Sequence, residues 1–426
     1  MKIFLDMVGC RLNQSELESY ARQLRLAGHT LAPNAESADM VIINTCMVTS
    51  AAASDSRQKI RQAAHAGNDC IVVTGCLATL DPQEVTSLPG VVRLVDNFRK
   101  DDLVSQLFNI PPATFVDRFI QREPIPGTRL RTRAFIKVQD GCDNYCTYCI
   151  TRLARGSSRS RPVQEIFADI QAALDGGAQE IVLTGVHLGS WGYDFEKPAH
   201  LKDLIRKILD ETHVPRLHLS SLEPWDLSAE FFHLWSDDRL CRHLHLPLQS
   251  GCASTLKRMG RKINPQAYSE LVHQARQAVP GIAITTDIIT GFPGESENEF
   301  SESLHFVDEL KFAGGHVFTY SPRPGTAAAG LPDQVPIKFA KERNVLMRKV
   351  LQEGASEFCA QHLGQVVSVL WEKATPISEE RWQLSGLSDN YLRVHAAHNA
   401  PTTNLIMKVK VVGIEQQGLS GEILPA

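Results

Sequence analysis

The chain has 426 residues, too many for one ordinary core, so two or three domains are expected. With 43% hydrophobic and 22% charged residues it reads as ordinary globular protein, and a formal net charge of −4 gives no bulk attraction for a polyanion. No apolar run long enough to span a bilayer occurs, and MKIFLDMVGC lacks the apolar segment of a secretory signal. A reducing, cytoplasmic setting is expected, where grouped cysteines serve metals or catalysis more often than disulfides.

The first hundred residues repeat one pattern. Strands are predicted at Lys2–Val8, Asp39–Asn44, Cys70–Thr74 and, more weakly, Val91–Val95. Between them lie amphipathic helices over Leu12–Ala27 and Ser50–Ala66, stopped by Gly28 and Gly67. Short apolar strands alternating with helices argue for an open parallel sheet over residues 1–110. Cys10, Cys46 and Cys76 each follow a strand, one βα unit apart, at the edge where such sheets bind ligands. Three unrelated buried thiols are the alternative, and that reading holds for Cys70, Cys241, Cys252 and Cys359, which form no group at ligand spacing.

Pro111, Pro112, Pro124, Pro126 and Gly127 mark a linker over 111–131. From Arg118 to Arg161 ten Lys/Arg face three Asp/Glu, a local basic excess in an acidic chain. Arg129, Arg131 and Arg133 precede the second cysteine group, and Arg152, Arg155, Arg159 and Arg161 follow it. Such a collar suits phosphates, and a solvated charged surface is the plain alternative.

From 132 to 362 the βα pattern recurs. Strand candidates are Ala134–Gln139, Glu180–Thr184, Arg216–Ser220, His243–Pro247, Ala283–Ile289 and His316–Tyr320, with helices such as Val163–Leu174, Leu201–Leu209 and Pro265–Ala278. Six parallel units suggest a full or partial (β/α) barrel, whose chemistry sits at the carboxyl ends of the strands. GCDNYCTYC, TGVHLG, SSLEP, PLQSG and DIITGFPGE all fall at or around such ends. Residues 363–426 shift to strand character in GQVVSVLWE, RWQLSGL, NYLRVHA and LIMKVKVVGIE, a small antiparallel barrel. Lys373, Arg381, Trp382, Tyr391, Arg393, Lys408 and Lys410 are candidate RNA contacts there, with Trp382 and Tyr391 read equally well as core aromatics.

Cys142, Cys146 and Cys149 stand at C-x3-C-x2-C. A structural zinc site wants four protein ligands, and a distant fourth Cys or a His stays open. A cubane cluster on three thiolates leaves one iron free to bind substrate or cofactor. Tyr148 before the last Cys could stack on a purine. No G-x-G-x-x-G follows the first strand, and no P-loop is present, which disfavours a nucleotide-binding dehydrogenase.

The compact triad at the end of the first barrel strand resembles the radical S-adenosylmethionine (SAM) superfamily. The whole chain resembles its methylthiotransferases, through GCRLNQSE, INTCMVTS and VTGC around Cys10, Cys46 and Cys76. FIKVQDGCDNYCTYC, ARGSSRSR, TGVHLGSWG, HLHLPLQSG and GLSDNYLRV are most similar to the branch acting on threonylcarbamoyladenosine in tRNA. Arg152-Leu153 stands where that branch usually has Pro-Tyr, and Trp191 where Tyr is common. The other branches modify isopentenyladenosine or a ribosomal-protein aspartate.

The resemblance implies an N-terminal open parallel α/β domain, a partial (β/α)6 radical SAM barrel and an all-β barrel of the TRAM type. It implies two [4Fe–4S] clusters, one on Cys142, Cys146 and Cys149 and an auxiliary one on Cys10, Cys46 and Cys76, together with SAM. Thr184 and Gly185 would meet the methionine end of SAM, and Ser220, Glu223, Gln249 and Asp287 would make polar contacts. One SAM would methylate a sulfur on the auxiliary cluster, and a second would supply a radical that takes hydrogen from C2 of the adenine. The implied partners are the tRNA anticodon stem-loop and a cytosolic electron donor such as flavodoxin or ferredoxin. A non-catalytic iron–sulfur carrier is the competing class.

Overall fold

The structure is a computed structural model describing residues 1–115, 122–126, 132–415 and 418–425. Arg118, Gly127, Arg129 and Arg131 of the linker and basic run lie outside the described residues.

The first unit is a five-stranded, all-parallel sheet. Lys2–Met7 lies between the edge strand Thr30–Leu31 and Met40–Thr45, followed by Ile71–Gly75 and Val91–Val95. The two central strands, MVIINT and IVVTG, are apolar almost throughout because helices cover both faces. Arg11–Leu26 packs Leu17, Tyr20, Ala21 and Leu24 onto one face. Ser50–His65 packs Ile60 and Ala63 onto the other. Thr49 caps that second helix by accepting from the Ala52 amide. The two-residue edge strand is an addition to the predicted four, too short to carry a period.

All six predicted barrel strands are present. Arg133–Lys137, Glu180–Thr184 and Leu217–Leu219 form one parallel sheet, and His243–His245, Ala283–Thr290 and Gly314–Thr319 another. Parallel bridges at Leu217–Leu240 and Ser221–His245 join them into a six-stranded partial barrel. Ile181, Leu183, Leu217, Leu219, Leu244, Ile284 and Ile288 face the surrounding helices and form the main core. The alternate positions Glu180, His218, His243, Thr285 and Asp287 face inward, so the barrel interior is polar. Helices Glu297–Leu310 and Ile337–Ala360 complete the outer layer. No helix among the described residues is long and apolar enough to cross a membrane.

The last unit is a closed five-stranded barrel of Val366–Ser378, Arg381–Ser388, Arg393–His398, Ile406–Glu415 and Gly418–Ile423. The expected antiparallel barrel is realised with one parallel pair, Arg393–His398 on Gly418–Ile423, which closes it. Gly418–Ile423 was not foreseen: GLSGEI holds two glycines and lacks alternation. Trp371, Val369, Val394, Val409 and Val411 fill the interior.

Candidate active site

In the first unit all three dispersed cysteines stand just past strand ends. Cys10 is the N-cap of Arg11–Leu26, Cys46 follows Met40–Thr45, and Cys76 opens the short helix after Ile71–Gly75. The glycines before Cys10 and Cys76 explain how the loops converge. Gly9 has φ +125°, and a Cβ there would lie 2.8 Å from Cys46 Cβ and 3.2 Å from its sulfur. Gly75 has φ +98°, and a Cβ there would lie 2.3 Å from the Thr45 carbonyl oxygen. Both positions therefore demand glycine. Burial lifts the Cys46 thiol to about 11, and the neighbouring Cys76 and Cys10 add to the rise. Three thiols gathered on one rim suit an iron–sulfur centre that takes them as thiolates.

The compact triad lies in the loop after Gln139–Asp140. Its shape is set by backbone bonds: the Cys142 amide donates to the Gly156 carbonyl (3.1 Å) and the Thr147 amide to the Met259 carbonyl (2.9 Å). Burial raises the Cys146 thiol, opposed by Arg261, whose Nη1 is 4.0 Å from the sulfur. Burial raises Cys149 as well, opposed by hydrogen bonds from Thr151. His187 pairs with Asp226 at 2.7 Å and faces Asn144 of the triad loop. Tyr148 packs edge-on against Phe292 with ring centres 6.4 Å apart, in a small cluster with Leu256, Met259 and Ala328.

The other expected contact residues ring the carboxyl end of the barrel. Thr184 ends its strand and is buried. Gly185 is pressed against Gln139, whose Oε1 would lie 2.9 Å from an added Cβ. Ser220 Oγ and Asp287 Oδ1 are buried and have no hydrogen-bond partner among the described residues. Gln249 sits at φ +73°, its amide donating to the Asp287 carbonyl. Glu223 is bound to Arg261 at 2.7 Å, and the Arg261 guanidinium lies over Trp225. Orphaned polar atoms at a strand-end rim beside three thiols fit a polar cofactor such as SAM next to a cluster.

A single side chain links Cys76 of the dispersed triad to the helix that follows the compact one. Asn97 Nδ2 donates to Cys76 Sγ (3.6 Å) and to the carbonyl of Ala154 (2.8 Å), in the helix that directly follows Cys149. Arg155 reaches back into the first unit, donating to Asn13 Oδ1 (2.8 Å) and Glu16 Oε1 (3.2 Å), and also bonds Asp140 Oδ1 beside the compact triad (2.9 Å). Lys100 and Lys137 complete this buried ionic junction, Lys100 Nζ lying 2.5 Å from Glu16 and 3.1 Å from Asp140. Burial works against ionised Glu16 and Asp140, but the three cations outweigh it and hold both carboxyls low. On the other side Ser50 Oγ meets Ser321 Oγ at 3.1 Å, just past the sixth barrel strand. The first unit thus touches both edges of the open barrel, placing its cysteine rim against the barrel's own.

Several expectations need correction. Arg155 and Arg161 do not form a phosphate collar. Arg155 is buried in the junction, and Arg161 binds Asp169 (2.8 Å), Glu165 and the Lys137 carbonyl. Arg152 instead covers the exposed ring of Tyr145 at 3.6 Å, and Arg159 remains exposed. Tyr391 is not on an open sheet face: its ring stacks on His243 at 4.5 Å and its hydroxyl accepts from Arg11 (2.8 Å). Arg393 is held by Glu372 at 2.7 Å, which also binds Arg133. Lys373, Arg381, Lys408 and Lys410 are exposed, whereas Trp382 packs partly onto the small barrel's core. Sequence reasoning missed Asn97, Asn13, Glu16, Asp140, His187 and Arg261. The Gly-Cys pairs at 9–10 and 75–76 were a usable signal for the convergence of the loops.

Comparison with known proteins agrees with this geometry. Residues 2–96 match the model described as Uncharacterized protein family UPF0004, and residues 136–307 match the Radical SAM superfamily. The chain is 35% identical to the threonylcarbamoyladenosine tRNA methylthiotransferase MtaB of Bacillus subtilis (strain 168), covering 95% of this chain and 92% of that one. It is 34% identical to the like-named protein of Chlamydia pneumoniae, covering 99% and 97%. A tRNA-2-methylthio-N(6)-dimethylallyladenosine synthase of Staphylococcus epidermidis is 29% identical, covering 98% and 84%. Among solved structures, the radical S-adenosylmethionine methyltransferase TsrM of Kitasatospora setae shares the fold, with TM-score 0.59, 16% identity and coverage of 77% and 75%.

Proposed function

The chain belongs to the radical SAM methylthiotransferases that act on threonylcarbamoyladenosine in tRNA, and from that membership we propose a division of labour among its own residues. It adds a methylthio group to C2 of N6-threonylcarbamoyladenosine beside the anticodon. Cys142, Cys146 and Cys149 would hold one [4Fe–4S] cluster, and Cys10, Cys46 and Cys76 the second. When bound, the clusters and SAM supply the electron, the radical and the sulfur group. The protein's part is to bind, orient and enclose.

Ser220 Oγ and Asp287 Oδ1, both buried and unpaired among the described residues, are available to bond a polar ligand in the cup. Arg261 places positive charge beside Cys146 while holding Glu223 at the rim. Asn97 and Arg155 fix the two thiol sets relative to each other, so that a base can enter between them. Contact at both barrel edges limits water in the cup, which a radical reaction needs. Exposed Lys373, Arg381, Lys408 and Lys410 on the small barrel supply phosphate contacts for an anticodon stem-loop. A cytosolic electron donor such as flavodoxin or ferredoxin would complete the cycle.

The observation that carries this reading is the pair of three-thiol rims tied together through Asn97. The test is mass spectrometry of nucleosides from tRNA treated with anaerobically reconstituted enzyme, reductant and SAM. We expect the mass of one methylthio group on threonylcarbamoyladenosine. The same gain on dimethylallyladenosine alone would transfer the chain to the other tRNA branch.

A further inference from the structure

The inward-facing residues of the barrel form a hydrogen-bonded chain from Glu180 to His245, which an ion pair extends to Asp287 at the rim. Glu180 Oε1 meets His218 Nδ1 at 3.0 Å, and His218 Nε2 meets His243 Nδ1 at 2.8 Å. His243 Nε2 meets Thr285 Oγ1 at 2.8 Å, and that oxygen meets His245 Nδ1 at 3.0 Å. His245 Nε2 then lies 3.2 Å from Asp287 Oδ2. The chain comes from four different strands or strand ends, and its last carboxylate keeps one buried oxygen, Oδ1, without a hydrogen-bond partner among the described residues.

Donor–acceptor counting leaves this chain one direction. An ionised carboxylate only accepts, so Glu180 requires Nδ1–H on His218. A neutral His218 then accepts at Nε2 from Nδ1–H of His243. His243 accepts at Nε2 from the Thr285 hydroxyl, and Thr285 accepts from Nδ1–H of His245. Every proton points to the floor. At the rim, His245 Nε2 and Asp287 Oδ2 are both acceptors unless one further proton lies between them. Glu180 does stay ionised: burial opposes it, but the bond from His218 and the charges of Arg133 and Arg216 outweigh that. Burial keeps His218 and His243 neutral, helped at His243 by the charges of Arg11 and Arg133. Tyr391 stacks on His243 and Cys241 lies beside Glu180 and His218, closing the floor from the other sides.

We propose that Glu180, His218, His243, Thr285, His245 and Asp287 form a proton relay that sets whether Asp287 meets an adenosyl ligand as a neutral acid or as a carboxylate. The balanced shift is simple. The rim proton binds His245 Nε2, and His245 gives its Nδ1 proton to Thr285. Thr285 passes its own to His243 Nε2, His243 its Nδ1 proton to His218 Nε2, and His218 its Nδ1 proton to Glu180. Glu180 ends neutral and Asp287 ends as a carboxylate, with no electron moved and no atom lost. His245 and Thr285 are positioning residues here; only Asp287 would touch the ligand.

Two measurements test this. The first is 15N NMR of histidine-labelled, oxidised, cluster-loaded protein, and it is independent of the functional reading. We expect His218 and His243 as neutral Nδ1–H tautomers. An Nε2–H tautomer of His218, the form suited to a metal ion beside Glu180 and Cys241, would overturn the relay, as would an imidazolium at either residue. The second measurement rests on the SAM-cleaving reading. Thr285→Val keeps the shape and removes the hydroxyl. With iron content unchanged, we expect its pH profile for 5′-deoxyadenosine formation to move by about one unit, with Thr285→Ser restoring the native profile. A Thr285→Val profile superimposed on the native one would refute the relay. Running the assay with and without tRNA separates the two adenosyl ligands: a shift without tRNA assigns Asp287 to SAM, and one seen only with tRNA assigns it to the target nucleoside. Failure of both enzymes to cleave SAM with the expected tautomers intact would count against the functional reading alone.

Discussion

Cys10, Cys46 and Cys76 illustrate what a residue can be made to do by its backbone. Each is an ordinary thiol until a strand end and a neighbouring glycine bring the three together, where Cys46 is held near 11. Metal loading must expel those protons, so cluster assembly is favoured as pH rises. Cys10→Ala should still allow SAM cleavage while abolishing sulfur insertion, with iron falling from about eight to about four per chain; undiminished insertion would sink the auxiliary-site assignment. These cysteines were legible in the sequence because strand periodicity and loop position are local properties. Asn97, Arg155 and Glu16 were not. Their roles come from partners such as Ala154, Asn13 and Asp140, which meet only when two units pack. The basic run around Arg155 and Arg161 was visible, but composition could not tell a buried ion-pair partner from a phosphate ligand.

Among the elements, the turn from Ile71–Gly75 into the helix at Cys76 admits only glycine at its corner. Gly75 adopts φ +98° with no room for a side chain, against backbone of the neighbouring strand loop. Gly75→Ala should destabilise the first unit by roughly 3 kcal/mol or more and displace Cys76. Thermal melts read the first effect. Iron analysis reads the second, with the Cys142 group retained. Helix and strand predictions held wherever burial on one or two faces imposed a period, as in Leu201–Glu211 and Ala283–Thr290. They missed pieces such as Thr30–Leu31 and Gly418–Ile423, which exist because a sheet edge or a barrel seam needed a partner.

At the scale of the whole molecule, the interface between the first unit and the barrel is ionic. Asp169 of Val163–Asp175 is bound by Arg22 of the first unit and by Arg161 (2.5 and 2.8 Å). Burial would raise this carboxyl, yet Arg161 and Arg22 hold it at about 2. A folded-state value below the ordinary one, near 4, means stabilisation that is complete above about pH 4 and lost as pH falls toward about 2. Asp169→Asn should therefore lower stability by ~2 kcal/mol at pH 7 and flatten the loss on acidification. Unfolding midpoints at pH 7, 5 and 3 measure both; parallel pH curves for the two proteins would contradict it.

The seating of the small C-terminal barrel has a mechanical consequence. Asp389 grips Arg242 at 2.7 Å, Asn390 donates to the Gly281 carbonyl, Asn404 to the Gly177 carbonyl, and Arg216 donates to the carbonyls of Leu387 and Ser368. A module bolted down at so many points is no swinging arm. With its lysines on the phosphates as proposed above, it would serve as the fixed jaw of a caliper, and the span from them to the cup would set which nucleotide along a loop is reached.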